Sequence, residues 1–151
     1  IKIRFRNILR KRMIEFNFET DFELGNSSKI QDWITAIIEK EEFELGEVLY
    51  IFCDDSYLHK LNVEFLGHDT LTDIISFDYG VGKQINGEIY ISIDRVKENA
   101  SEFNVTFNNE LHRVMIHGIL HFCGYKDKSD SEELLMRQKE EESLLLLSKM
   151  L

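Results

Sequence analysis

Proline is missing from this chain of 151 residues. That is unusual, and by itself it carries no functional clue. Cysteine is nearly missing as well. Cys53 and Cys123 are too few for a disulfide framework. No apolar run approaches the roughly 18–20 residues of a membrane span. The basic N-terminus is not followed by the apolar stretch and small-residue cleavage site of a secretory signal. Together these shortages point to the cytoplasm. Positive charge is also scarce: 18 Lys and Arg stand against 28 Asp and Glu, a net charge of −10. That weighs against a broad nucleic-acid surface, which sets Lys and Arg against phosphates. A local basic strip or a metal cation within an acidic protein is still compatible with it. What the chain does have is a core, with 43% hydrophobic and 11% aromatic residues in a length suited to one domain, residues 1–151.

The most informative stretch is His117-Gly-Ile-Leu-His121-Phe-Cys-Gly124-Tyr-Lys-Asp127. A spacing of four stacks His117 and His121 on one face of a helix, one turn apart. Both imidazoles can then reach one ion at about 2.0–2.1 Å, the usual Zn–N distance. Gly124 suits the left-handed conformation that ends a helix. A reversal there brings Asp127 back as a third ligand. Two His and one carboxylate leave the fourth tetrahedral position of Zn²⁺ open for water, which reads as catalytic and not structural. The spacing equals that of the metzincin proteases, but Gly118 stands where those carry their Glu general base. A Gly inside a helix also costs about 1 kcal/mol against Ala, so another chain segment or the substrate should pass close to it.

Residues 1–12 hold six basic residues and no acid. They read as an extension before a natural start at Met13, as a basic arm for RNA, or, from Ile1 to Arg6, as an alternating strand. Ile14, Phe16 and Phe18 alternate with polar residues as a half-buried strand. Gly25–Ser28 supplies a turn and an N-cap, and Ile30, Trp33, Ile34, Ile37 and Ile38 form the apolar stripe of a helix over about 29–42. Val48–Cys53 reads as a central strand. Asp54 or Asp55 caps a helix with Leu58, Leu61 and Phe65 inward and His59 on the solvated side. Asp73–Phe77 is a short strand, and the glycines at 80, 82 and 87 form a turn without the pattern of a phosphate loop. After the alternating strand Glu88–Ile93, Asp94 caps a helix over 95–103. Thr106 caps the metal helix over 107–123, with Leu111, Val114, Met115 and Leu120 as its core. His112 lies about 140° around that helix from His117 and is not a ligand. Glu110 lies on the ligand side and reads either as a group that orients His117 or as a solvated acid. Cys123, out of phase with the His pair, reads as a small core residue. Ser129 and Glu132 form a capping box for a last helix to about Leu147, whose Leu144–Leu147 exceed what one face needs. The order β-α-β-α-β-β-α-α-α gives an α+β (mixed α/β) domain: one small mixed sheet packed with about five helices, the metal site at the end of a core helix.

Three stretches carry a family resemblance. His117–Tyr125 resembles the H-G-x-L-H-L-x-G-Y core of the YbeY family, bacterial metal-dependent endoribonucleases of rRNA maturation. Leu61-Asn62, Asp69 and Thr72–Phe77 resemble its L-N-x-x-[YF]-R-x-x-D-x-x-T-D-V-L-S-F. Gly87–Ser92 resembles its G-D-I-x-I-S. The resemblance spans about residues 54–127. It departs in two places: Lys126-Asp127 replace the Asp-His that supplies the family's third zinc ligand, and Leu66 replaces an Arg tied to RNA binding or catalysis. The expectation is then a Zn²⁺ held by His117, His121 and Asp127, with a metal-bound water as nucleophile toward single-stranded RNA, rRNA of the small subunit in particular. The RNA 2′-OH is an alternative nucleophile. Lys126, Arg113 or Lys83 would supply the cation that stabilises added negative charge. Two rival readings stand beside this one: a ribosome-associated assembly factor whose metal is structural, and a metallohydrolase of another class such as a peptidase.

Overall fold

The computed structural model describes residues 12–151. The arm or strand expected over residues 1–12 therefore lies outside the described residues, apart from Arg12. The elements are β1 (Met13–Phe18), α1 (Ser27–Lys40), β2 (Glu44–Cys53), α2 (Asp55–Leu66), β3 (Ile74–Asp78), β4 (Gln84–Ser92), α3 (Ile93–Glu102), α4 (Phe107–Phe122) and α5 (Asp130–Met150). They form one four-stranded mixed sheet with five helices, in the order read from the sequence. The strand order is β1-β2-β4-β3. β1, β2 and β4 are parallel, and β3 pairs antiparallel with β4 at one edge.

The period-2 pattern of the strands decides what the sheet buries. Ile14, Val48, Tyr50, Phe52, Ile89 and Ile91 share one cluster with the stripes of α1 and α4. Cys53, Leu58 and Ile75 form a smaller cluster under α2. α4 is buried along most of its length. One polar contact pins it to the sheet: the buried Tyr50 hydroxyl donates to Met115 O at 2.8 Å. Gly118 is buried against that sheet. A Cβ there would lie 2.9 Å from Ile89 Cδ1 and 3.2 Å from Ile74 Cδ1. The segment that the glycine makes room for is thus the β3–β4 pair. The near atoms are side-chain ends that can yield, and the helix gains about 1 kcal/mol from Ala. Gly118→Ala is therefore expected to change stability by less than about 1 kcal/mol, whereas Gly118→Val should cost about 1–3 kcal/mol by overpacking. Urea midpoints of the two variants check this.

Several local expectations are corrected. The cap of α3 is Ser92, whose Oγ accepts from Arg95 N at 3.2 Å. Asp94 lies inside the first turn, where its Oδ2 accepts from Asp55 N at 3.0 Å. Asn26 starts α1 in a left-handed conformation with no side-chain cap bond. Phe65 is 59% exposed and meets the Phe77 ring edge at the rim, while Asn62 takes the inward position on α2. β4 begins at Gln84, ahead of Gly87, so the glycine turn is shorter than expected. Of the four leucines, Leu147 is buried and Leu145 is 59% exposed.

Candidate metal centre

α4 ends in a Schellman motif. Gly124 takes φ 101°, its N–H donates to His121 O at 2.9 Å, and Tyr125 N–H donates to Leu120 O at 3.0 Å. That reversal turns the chain back across the last turn of the helix. Tyr125 O thereby reaches His121 Nδ1 at 2.8 Å. Asp127 Oδ2 comes to 3.2 Å from His117 Nε2 and 3.2 Å from His121 Nε2. One ligand atom from each of the three residues lies within 4.8 Å of the others. The two rings meet edge to face at 4.5 Å between centroids. A non-glycine residue in the left-handed region costs about 1–2 kcal/mol. Gly124→Ala is expected to lose that much stability and to weaken metal uptake by displacing Asp127, which calorimetric metal titration reads directly.

The outer nitrogens of both rings are committed. His117 Nδ1 lies 2.6 Å from Glu140 Oε2, and His121 Nδ1 faces the Tyr125 carbonyl. An acceptor at each Nδ1 places the proton there and leaves Nε2 with its lone pair. In that tautomer two imidazole lone pairs and a carboxylate oxygen converge, an arrangement suited to a cation at its centre. Ligand atoms placed tetrahedrally at about 2.1 Å from Zn²⁺ lie about 3.4 Å apart. The observed 3.2 Å separations fit that spacing.

Glu140 stands outside the motifs read from the sequence. It is 2% exposed and belongs to a buried chain of charges. Arg113 donates through Nε and Nη2 to the two oxygens of Glu110, at 2.9 and 2.7 Å, and through Nη1 to Glu140 Oε1 at 3.3 Å. Glu110 is 1% exposed, so neither reading of it holds: it is buried, and it holds Arg113 and not His117. Burial works against the charge of Arg113, but Glu110 and Glu140 outweigh it and hold the guanidinium protonated more firmly than usual. Burial likewise pushes the Glu140 carboxyl up. The His117 hydrogen bond and the Arg113 charge overcome this and keep it below its ordinary value. A sequence signal for Glu140 did exist. Met136, Glu140, Ser143 and Leu147 form the buried stripe of α5, and an acid within such a stripe needs a partner.

The three ligand candidates open into a cavity of ≈ 380 Å³, also lined by Thr72, Asp73, Ile74, Ser76, Arg113 and Val114. Asn62 on α2 donates to Thr70 O at 2.8 Å and so holds the loop that leads into this wall. Burial pushes the Asp73 carboxyl up, Arg113 and His117 pull it part of the way back, and Asn99 Nδ2 bonds it at 3.2 Å. Of the three cations considered, Arg113 is in the cavity wall, tied to Glu110 and Glu140. Lys126 is exposed beside Asp127 and does not line the cavity. Lys83 lies over the Phe43 ring at 4.3 Å, just before β4, at the opposite end of that strand from the residues paired with Ile74. Leu66, at the position of the family Arg, is the exposed last residue of α2. His112 is partly buried, edge-on to Trp33 at 6.0 Å, and burial lowers its pKa.

Comparison with known proteins agrees with the motifs. The family described as Endoribonuclease YbeY matches residues 15–148. A protein of that name from Flavobacterium johnsoniae is 60% identical over 134 residues, covering 89% of this chain and 96% of the relative. Another from Christiangramia forsetii is 54% identical over 138 residues, covering 91% and 96%. A Thermotoga maritima protein solved in solution superposes with a TM-score of 0.64 at 32% identity, covering 89% of each chain. Motifs, fold and relatives lead to one conclusion: the chain belongs to the endoribonuclease YbeY family.

Proposed function

We propose that the chain is a zinc-dependent endoribonuclease that cuts single-stranded RNA in the cytoplasm during rRNA maturation, on the small ribosomal subunit or its precursors. The observation that carries this reading is the convergence of two imidazole Nε2 atoms and one carboxylate oxygen at the mouth of a cavity with an arginine in its wall. His117, His121 and Asp127 would hold the metal, which supplies Lewis acidity and a nucleophile at neutral pH. Glu140 and the Tyr125 carbonyl fix the two rings in the tautomer that presents Nε2. Arg113 spends three of its five N–H groups on Glu110 and Glu140, and the other two remain to meet a phosphate oxygen. Lys126 can add positive charge from the solvent side. Among the described residues no helix is long and apolar enough to cross a membrane.

The test is a labelled single-stranded RNA incubated with purified protein of measured metal content. One zinc per chain and cleavage abolished by a chelator and restored by zinc are expected. Cleavage that persists in chelator would overturn the metal-dependent reading. Zinc that restores the fold and no cleavage would make the metal structural, and chelator-sensitive cleavage of casein would make the protein a peptidase.

A further inference from the structure

β3 is an edge strand, and its main-chain groups fall into two sets. Ser92 N–H donates to Asp73 O at 2.9 Å, and Tyr79 N–H donates to Asn86 O at 2.8 Å. These bonds mark residues 73 and 79 as facing β4. In an antiparallel ladder the facing alternates, so Ile75 and Phe77 also face β4, and Ile74, Ser76 and Asp78 turn their N–H and C=O groups away from it. Among the described residues no strand pairs with that outer side. Ile74 and Ser76 also line the cavity that holds His117, His121 and Asp127. Among the described residues, a row of main-chain groups that no strand pairs therefore leads into the candidate metal centre.

The usual protections of an open edge are missing from its middle. Ile74–Phe77 contains no charge and no proline, and its register with β4 shows no bulge. Such an edge is a template for another chain unless something covers or uses it. Donors two residues apart on a strand stand about 6.8 Å from each other, each directed outward. One acceptor in the row is already taken: Thr72 Oγ1 donates to Ile74 O at 3.3 Å. A peptide adding as a further strand would have to share that carbonyl with Thr72 through its second lone pair. A ribonucleotide strand would not. Its phosphate oxygens would accept from the Ile74 and Ser76 N–H groups, and its 2′-OH would donate to the Ser76 carbonyl, a contact DNA cannot make.

We propose that single-stranded RNA docks in an extended form along the outer edge of β3, its sugar–phosphate backbone held by the Ile74 and Ser76 N–H groups and the Ser76 carbonyl, which lead it past Arg113 to the metal centre. This rests on the RNA reading above and adds where the strand lies.

Amide hydrogen exchange in the full chain tests it, with and without a saturating single-stranded RNA 12-mer. The Ile74 and Ser76 amides should slow about tenfold or more on binding, while Ile75 and Phe77, already paired with β4, stay as they were. Two variants add an independent measure. Ser76→Pro removes an outward N–H and no ladder bond with β4, at an edge position that tolerates proline. Ser76→Ala keeps the N–H and removes the hydroxyl. Loss of one charge-assisted hydrogen bond corresponds to roughly a tenfold weaker Kd for Ser76→Pro than for Ser76→Ala. If Ser76→Pro fails to fold, the exchange measurement on the parent chain decides alone. RNA bound at saturation with the exchange of Ile74 and Ser76 unchanged would overturn the edge docking and leave the nuclease reading standing. Protection of the same amides by an extended peptide and not by RNA would overturn the occupant. No RNA binding by the parent chain would sink both readings.

Discussion

His121→Ala is expected to leave the purified protein without stoichiometric zinc and to bring RNA cleavage down to background. The substitution removes one of the two imidazoles proposed to hold the metal and also the side chain whose Nδ1 ties the Gly124 turn to the helix through the Tyr125 carbonyl. Asp127 then keeps only His117 as a neighbour in the ligand group. His117→Ala should behave alike. Asp127→Ala should also lose metal, whereas Asp127→His supplies a neutral ligand and should keep one zinc per chain. Since an anionic ligand reduces the Lewis acidity of the ion, the His variant is also expected to cleave at least as fast as the parent. Elemental analysis beside the cleavage assay reads all four. Full zinc in His121→Ala would move the site away from these residues.

The second large effect belongs to Glu140. Glu140→Ala deletes the partner of His117 Nδ1 and leaves Arg113 buried beside Glu110 with one of its two carboxylates gone. Losing one member of a buried charge network typically costs about 3–5 kcal/mol. At the usual scaling for a domain of this size the melting temperature should fall by roughly 6–20 °C. Metal affinity should fall about 10–100-fold, as is usual when the partner of a ligating His is lost. Glu140→Gln keeps an acceptor for the ring and removes only the charge, so its metal affinity should lie between the two. The pair also differs in acid. The Glu140 carboxyl is held below its ordinary value of 4.5, so its contribution is complete above about that pH and is lost as pH falls through the depressed value. Thermal melts from pH 6 down to pH 3 should show the parent losing that component while Glu140→Gln has none to lose. Equal acid slopes in the two proteins would contradict the network.

What the sequence disclosed was what depends on local spacing. His117, His121, Gly124 and Asp127 lie within one helix end and its turn, so helical periodicity and the demand for a left-handed residue suffice to bring them together. The stripes of α1 and α4 and the alternation of β1 and β4 were legible for the same reason. Glu140 was not, because its meeting with His117 spans 23 residues and depends on how α5 docks on α4. Glu110 faced the right side of its helix, yet which acid took the arginine and which took the histidine was settled by packing. The Ser92 cap was missed because Asp94, an equally good capping residue two positions on, is instead used to hold the start of α2. The position of β3 at the sheet edge is a property of strand order, which alternation within one strand does not encode.

The turn after α4 has one more consequence. It contributes Asp127 and leads directly into α5, and α5 in turn holds His117 through Glu140. A metal bound there and the last helix would therefore act on one another as linked equilibria: what tightens one would tighten the other. A metal present at 100 times its Kd adds about 2.7 kcal/mol to the folded state. Much of that should appear as slower opening of α5, with little change in the sheet. Zinc supply would then set how long the C-terminal helix survives against proteolysis, and the protein would carry its own gauge of whether it is ready to work.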